Sequence, residues 1–222
     1  MKIKNNEIKL IIFDLDGTLL DSCKIWQEVD INFFKKRNLV MPSTYSQDIA
    51  HMGLTKASIY TKETFSLKET PEEIIKEWEE AVLEKYKYEV KLKPYSKEFI
   101  EFCKKESLIL TIATANQESC YLPCLKRNGI FSYFQKIIDV RNYPHGKDNP
   151  DMYLDMAKEF KIDPKNILVI EDITTALKSA KKGGFNTCAI YEETSTEEEE
   201  KRKISDIYIS SFEDLLNILE CK

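Results

Sequence analysis

The 222-residue chain has no apolar run approaching the ~18 residues that a membrane-spanning helix requires, so no membrane span is expected. It is poor in histidine: His51 and His145 are the only two. Its six cysteines are scattered at 23, 103, 120, 124, 188 and 221, with Cys120 and Cys124 the single close pair. Zinc-binding spacing asks for a second such pair or for neighbouring histidines, so reduced, mostly buried thiols are expected instead. There is no cationic excess: 33 Lys and Arg stand against 38 Asp and Glu, for a formal charge of -5. That balance gives no sign of nucleic-acid or anionic-membrane partners. No internal repeat is visible. Met1–Glu7 lead into a strand without the apolar region of a signal peptide, and a cytoplasmic protein is expected. No heptad or long apolar edge demands a partner, so a monomer is expected. The length allows one large domain, or one domain with a modest insertion.

What the chain does have is Leu10-Ile11-Ile12-Phe13-Asp14-Leu15-Asp16-Gly17-Thr18-Leu19-Leu20-Asp21. A short apolar run ends in two carboxylates one residue apart, followed at once by a glycine turn. Residues i and i+2 of a strand share a face. Two like charges so close repel unless a cation lies between them or one is protonated. Carboxylate oxygens are preferred ligands of Mg²⁺, and open α/β sheets build their sites where strands end. The stretch therefore predicts a magnesium site at the tip of a first strand over 8–14, with one aspartate free to act as nucleophile.

Downstream, Ser22 is a candidate N-cap for a helix in which Ile25, Trp26, Val29 and Phe33 recur at helical steps, which places Trp26 in the core. Trp26 has an alternative place in a pocket lining. A weaker helical region covers 44–68, with Gly53 as a turn. Thr70-Pro71-Glu72-Glu73 is a strong helix start, because it combines a threonine cap, a proline at the first position and a glutamate three residues on. About seventy residues of helix thus separate the first strand from the next, as an inserted helical cap. After Leu92-Lys93-Pro94 the rhythm becomes α/β. Strands are predicted at 108–113, 136–140, 167–170, 187–191 and 206–209, with helices between them and a loop or short helix in the acidic stretch 192–203. This alternation predicts a parallel sheet with helices on both faces.

Polar clusters fall where these strands end: Asp14 and Asp16, then Thr114-Ala115-Asn116, then Lys147 in a loop, then Glu171-Asp172. Together they supply a carboxylate nucleophile, a second carboxylic acid, a hydroxyl donor, a lysine and an acidic pair. Phosphoryl transfer uses such parts: cations to neutralise phosphate charge, small donors to hold its oxygens, an in-line nucleophile and an acid for the leaving group.

In these motifs the chain resembles the haloacid dehalogenase superfamily. Phe13–Asp21 matches its first motif, Ala113–Asn116 resembles the second, Gly146–Tyr153 the third and Ile170–Asp172 the fourth, in the family's order. A helical cap between the first two motifs points to the subfamily that includes phosphoglycolate phosphatase and β-phosphoglucomutase. The resemblance implies a Rossmann-like catalytic core over 1–20 and 93–222 and a specificity-setting cap over 21–92. It implies Asp14 as the nucleophile and Asp16 as general acid and then base. Thr114, Ala115, Asn116 and Lys147 would bind the phosphate, and Mg²⁺ would be held by Asp14, the Asp16 carbonyl, Asp172 and Glu171. Thr114 has an alternative reading as a strand-end cap, Asn116 as a helix cap, and Glu171 as an orienting group. Thr18 is read as steadying the turn. Lys56 and His51 are candidates for substrate selection by the cap, against a reading as ordinary surface or packing residues. Two departures stand out: Tyr95 follows Pro94 where the family commonly has glycine, and the third motif runs Lys147-Asp148-Asn149-Pro150. The implied activity is a Mg²⁺-dependent phosphatase acting on a small phosphorylated metabolite. The alternatives are a β-phosphoglucomutase-like phosphomutase or, in a different class, a non-catalytic protein that binds a phosphorylated ligand.

Overall fold

The structure is a computed structural model that describes residues 2–3, 6–49 and 52–220. The chain forms two compact units, one of residues 1–22 with 90–222 and the other of residues 23–89. In chain order, β1 (Lys2–Ile3), β2 (Asn6–Glu7), β3 (Leu10–Phe13) and β4 (Leu20–Asp21) open the first unit. The second unit holds α1 (Ile25–Lys36), α2 (Tyr45–Ile49), α3 (Gly53–Phe65) and α4 (Pro71–Tyr88). The first unit resumes with β5 (Lys91–Leu92), α5 (Ser96–Lys105), β6 (Ile109–Thr114), α6 (Glu118–Arg127), β7 (Lys136–Asp139) and α7 (Asp151–Phe160). It closes with β8 (Ile167–Glu171), α8 (Thr174–Lys182), β9 (Asn186–Ile190), α9 (Glu198–Ile204), β10 (Ile207–Ile209) and α10 (Phe212–Glu220).

Six strands form one parallel sheet in the order β10-β9-β8-β3-β6-β7. β3, β8 and β9 are buried along their whole length, as expected of strands covered on both faces. The two faces separate by parity. Leu10 and Ile12 of β3 and Ile167 and Val169 of β8 pack with Met152, Tyr153, Met156 and Phe185. Phe13 points the other way, with its ring 6.1 Å from Phe99, 6.0 Å from Phe134 and 6.3 Å from Phe212. Because all six strands run in one direction, Asp14, Thr114 and Glu171 leave the sheet at the same edge.

In the second unit Phe34 packs edge-on with the rings of Tyr45 and Phe65, each 4.7 Å away, and Phe33 meets Trp78 at 5.6 Å. α4 begins as its sequence indicates: Glu73 N–H donates to Thr70 Oγ1 (3.2 Å), Thr70 N–H donates back to Glu73 Oε2 (2.8 Å), and Pro71 opens the helix.

Several local expectations are corrected. The hairpin of β1 with β2 and the ribbon of β4 with β5 were not expected; pairs of two residues are too short to show a periodicity. Gly53 opens α3 rather than making a turn. Ser22 does not cap α1, where Lys24 holds the N-cap position without a side-chain bond. Trp26 is 43% exposed, since the buried stripe of α1 runs through Ile25, Val29, Phe33 and Phe34 and leaves Trp26 beside it. The acidic stretch contains α9, anchored by a fully buried Lys201. Among the described residues, Cys103, Cys120, Cys124 and Cys188 are buried, and no helix is long and apolar enough to cross a membrane. Cys221 lies outside the described residues.

Candidate active site

Asp14 continues the parity of Leu10 and Ile12, and Glu171 that of Ile167 and Val169, so both emerge on the face that α7 covers. Lys147 comes from the loop before α7 and reaches both carboxylates: Nζ is 2.5 Å from Asp14 Oδ1 and 2.8 Å from Glu171 Oε1. Tyr153, on the same helix face as the core methionines, donates its hydroxyl to Glu171 Oε1 at 3.0 Å. Asp172 completes an acidic trio. One carboxylate oxygen from each of Asp14, Glu171 and Asp172 lies within 4.8 Å of the others, and all three residues are buried. Thr18 Oγ1 approaches Asp172 Oδ1 at 3.4 Å, which ties the turn after β3 to the end of β8.

Asp16 belongs to a second cluster. The turn that carries it is closed by Gly17 N–H to Leu20 O (3.0 Å) and Leu20 N–H to Leu15 O (2.8 Å). Gly17 has φ 79°, a conformation that costs a side-chain-bearing residue but not glycine. Ser22 Oγ donates to Asp16 Oδ1 at 2.7 Å and Asn116 Nδ2 donates to Asp16 Oδ2 at 2.9 Å. Both carboxylate oxygens thus accept hydrogen bonds. Thr114 is fully buried at the end of β6, and its hydroxyl accepts from the Asn116 N–H at 3.0 Å. Ala115 is exposed between them.

The electrostatics of the trio are unbalanced. Burial raises the Asp14 pKa, and although Lys147 opposes it, Asp16 adds to the rise. Burial, with the charges of Asp14 and Asp172, pushes Glu171 up to about 8 despite Lys147. Burial and the Asp14 charge push Asp172 up to about 7, with Lys147, Lys201 and Lys93 pulling the other way. Burial works against the Lys147 ammonium, but Asp14 and Glu171 outweigh it and hold its pKa above the ordinary lysine value. Burial and the neighbouring Glu171 raise the Tyr153 phenol far above its usual range, so it is a fixed donor. Three buried carboxylates against one lysine leave room for a cation. Glu171 Oε2 is buried and accepts no hydrogen bond, as a metal-facing oxygen would be. The donor set is all oxygen, which suits Mg²⁺.

The strand ends thus bring Asp14, Lys147, Glu171 and Asp172 into contact, with Asp16 and Asn116 paired beside them. Lys56 is exposed on α3 of the second unit, and His51 lies outside the described residues. Tyr153 and Ser22 are the contacts that the sequence reading did not single out. Tyr153 does lie in the third motif, in phase with the buried side of α7.

These observations define a family. The sequence profile of the "Haloacid dehalogenase-like hydrolase" family matches residues 11–190, and the chain belongs to that family. Among curated proteins, the chain is 24% identical over 182 residues to the "Phosphorylated carbohydrates phosphatase" of Thermotoga maritima, covering 80% of this chain and 82% of that protein. It is 22% identical over 218 residues to "Hexitol phosphatase B" of Escherichia coli K12, covering 94% and 95%. Among solved structures, a Thermotoga maritima protein provisionally assigned as a β-phosphoglucomutase superposes with a TM-score of 0.85 at 20% identity, covering 96% of this chain and 99% of that one. The family, the α/β fold with its helical insertion, and the expected enzyme class of a phosphoric monoester hydrolase are borne out.

Proposed function

We propose that the protein is a Mg²⁺-dependent phosphatase that hydrolyses a small phosphomonoester through a phosphorylated Asp14. The observation that carries this reading is the convergence of Asp14, Glu171 and Asp172 on one buried point, with the Glu171 Oε2 oxygen unpaired. Asp14, Glu171, Asp172 and the Asp16 carbonyl would hold the ion, which, when bound, supplies a Lewis acid that neutralises phosphate charge.

The chain's own residues do the rest. Asp14 attacks phosphorus through a carboxylate oxygen while the bond from phosphorus to the ester oxygen breaks, and Asp16 delivers a proton to the departing alkoxide. Asp16 then takes a proton from water as that water attacks the acyl phosphate, releasing inorganic phosphate and restoring the Asp14 carboxylate. Ser22 and Asn116, both hydrogen-bonded to Asp16 here, orient its side chain. Lys147 orients Asp14 and pairs with the phosphate, and Thr114 and the Ala115–Asn116 backbone would receive its oxygens. Phosphate monoester hydrolysis needs up to ~10²¹-fold acceleration, which accounts for so many charged parts in one site. Residues 23–89 act as the cap that selects the leaving group, with Lys56 and His51 as its candidate contacts, and admit water only at the second step.

The names of the relatives support sugar and polyol phosphates as the first substrates to test. With Mg²⁺ present, phosphate release is expected from several such esters, with Asp14→Asn reducing it by at least ~10³-fold. Full turnover by Asp14→Asn would overturn the mechanism. Interconversion of sugar phosphate isomers with little phosphate release would turn the assignment to a mutase, and binding without turnover to a non-catalytic protein.

A further inference from the structure

Lys93 stands where the chain re-enters the first unit, between β5 and α5, and it joins two parts of the site's surroundings. Its N–H donates to Leu19 O at 2.9 Å, and Leu19 lies in the turn that carries Asp16. Its ammonium donates to Tyr191 O at 2.9 Å and pairs with Glu192 Oε2 at 2.6 Å. The Lys93 and Glu192 side chains are only 11% and 6% exposed, so solvent screens the pair weakly. Glu192 is itself fixed, accepting from Thr194 N–H (3.2 Å) and Thr194 Oγ1 (3.1 Å). Its own N–H donates to Glu198 Oε1 (3.2 Å), which also pairs with the buried Lys201. The strand register sets Glu171 level with Ala189, so Glu192, two residues past the end of β9, follows the adjoining strand just beyond the level of Asp172. Leu19 directly follows Thr18, whose hydroxyl approaches Asp172 Oδ1 at 3.4 Å, so Lys93 is anchored one residue from a contact of that carboxylate.

We propose that Lys93 and Glu192 are a positioning pair for the acidic trio: Lys93 sets a positive potential at the cation site, and Glu192 holds that lysine and offsets its charge. This rests on the reading of the trio as a metal site. Balanced, the pair leaves the site's affinity for a divalent ion moderate; unbalanced, either remaining charge shifts it, in opposite directions.

The test is calorimetric titration of the full-length protein with Mg²⁺ alone, without substrate, at one mildly alkaline pH and constant ionic strength. Lys93→Met is expected to tighten binding about three- to tenfold and Glu192→Gln to weaken it by a similar factor. The double variant is expected within about twofold of wild type, because the two opposite shifts cancel when both charges are removed. A pair that served packing alone would weaken binding in both single variants, in step with their melting temperatures. Shifts of the same sign, or no shift in either variant, would overturn the proposal. Failure of the wild-type protein to bind Mg²⁺ would instead overturn the metal reading on which it stands.

Discussion

Lys147 bridges Asp14 and Glu171, two buried carboxylates that would otherwise repel. Replacing it with Met leaves both without a counter-charge, a change that costs about 3 kcal/mol when one partner of a buried pair is removed. Urea denaturation without Mg²⁺ should show that loss, and it should shrink on acidification. Acids with raised pKa values are penalised as pH rises, and below their ordinary range they are neutral in folded and unfolded chains alike. Asp30 of α1 gives a cleaner case. It is buried, receives Ser46 Oγ at 2.9 Å, and burial raises it to about 6, with Ser46 opposing. Its folded pKa lies above its ordinary 3.8, so it destabilises the fold increasingly as pH climbs from 3.8 to about 6 and by a constant amount above that. Asp30→Asn should therefore add about 1–2 kcal/mol at neutral pH and almost nothing below pH ~4, read from urea curves at both. Single residues were unevenly legible. Asp14, Asp16 and the Glu171-Asp172 pair stand out because charge directly after an apolar run is costly unless it is used. Ser22 looked like a helix cap because a serine before a helical stripe has that local use; its bond to Asp16 depends on how the intervening turn closes. Asn116 likewise reads locally as a phosphate ligand or a cap, and only the approach of two strand ends brings it to Asp16.

At the scale of elements, the segment re-entering after α4 is the unusual one. Tyr95 follows Pro94 with φ 61°, and Glu213 of α10 raises the pKa of its phenol. A side chain in this left-handed region costs about 1 kcal/mol, which glycine avoids. Tyr95→Gly is expected to raise stability by about 0.5–1 kcal/mol, or about 2–4 °C in melting temperature, while Tyr95→Phe, which keeps a side chain at the same positive φ, should not. A lower melting temperature for Tyr95→Gly would show that the Tyr95 side chain contributes more than the backbone strain costs. The long strands and helices of the first unit were readable because apolar runs of four to six residues and stripes at three- and four-residue steps have few other uses. The two-residue strands β1, β2, β4 and β5 carry no pattern of their own and exist only through their partners. α9 was ambiguous because Glu197–Arg202 look solvent-facing; the helix is held by Lys201, whose ammonium donates to Ile190 O at 3.1 Å.

At the scale of the whole molecule, an acidic trio with unbalanced charge should make stability depend on the ion. Binding to the folded chain alone stabilises by mass action, by about 2.7 kcal/mol at a hundredfold excess over Kd. Millimolar Mg²⁺ is expected to raise the melting temperature by several degrees, EDTA to reverse it, and Asp172→Asn to abolish the response. The effect should grow from pH 6 to pH 8, because Glu171 and Asp172, raised to about 8 and about 7, must lose protons to bind the ion. An unchanged melting temperature under all these conditions would count against a cation site. The sequence by itself determined the α/β alternation, the helical insertion and the residues set at strand ends, because period, length and charge are properties of neighbouring residues, and its four motifs carried the resemblance to the family. Only the tertiary structure decided that Lys147 bridges Asp14 and Glu171, that Tyr153 donates to Glu171, and that Ser22 and Asn116 share Asp16. These contacts join residues up to 133 positions apart, through a strand order in which β3 lies between β6 and β8. Local pattern places a carboxylate at the end of a strand; the order of the strands decides what it meets there.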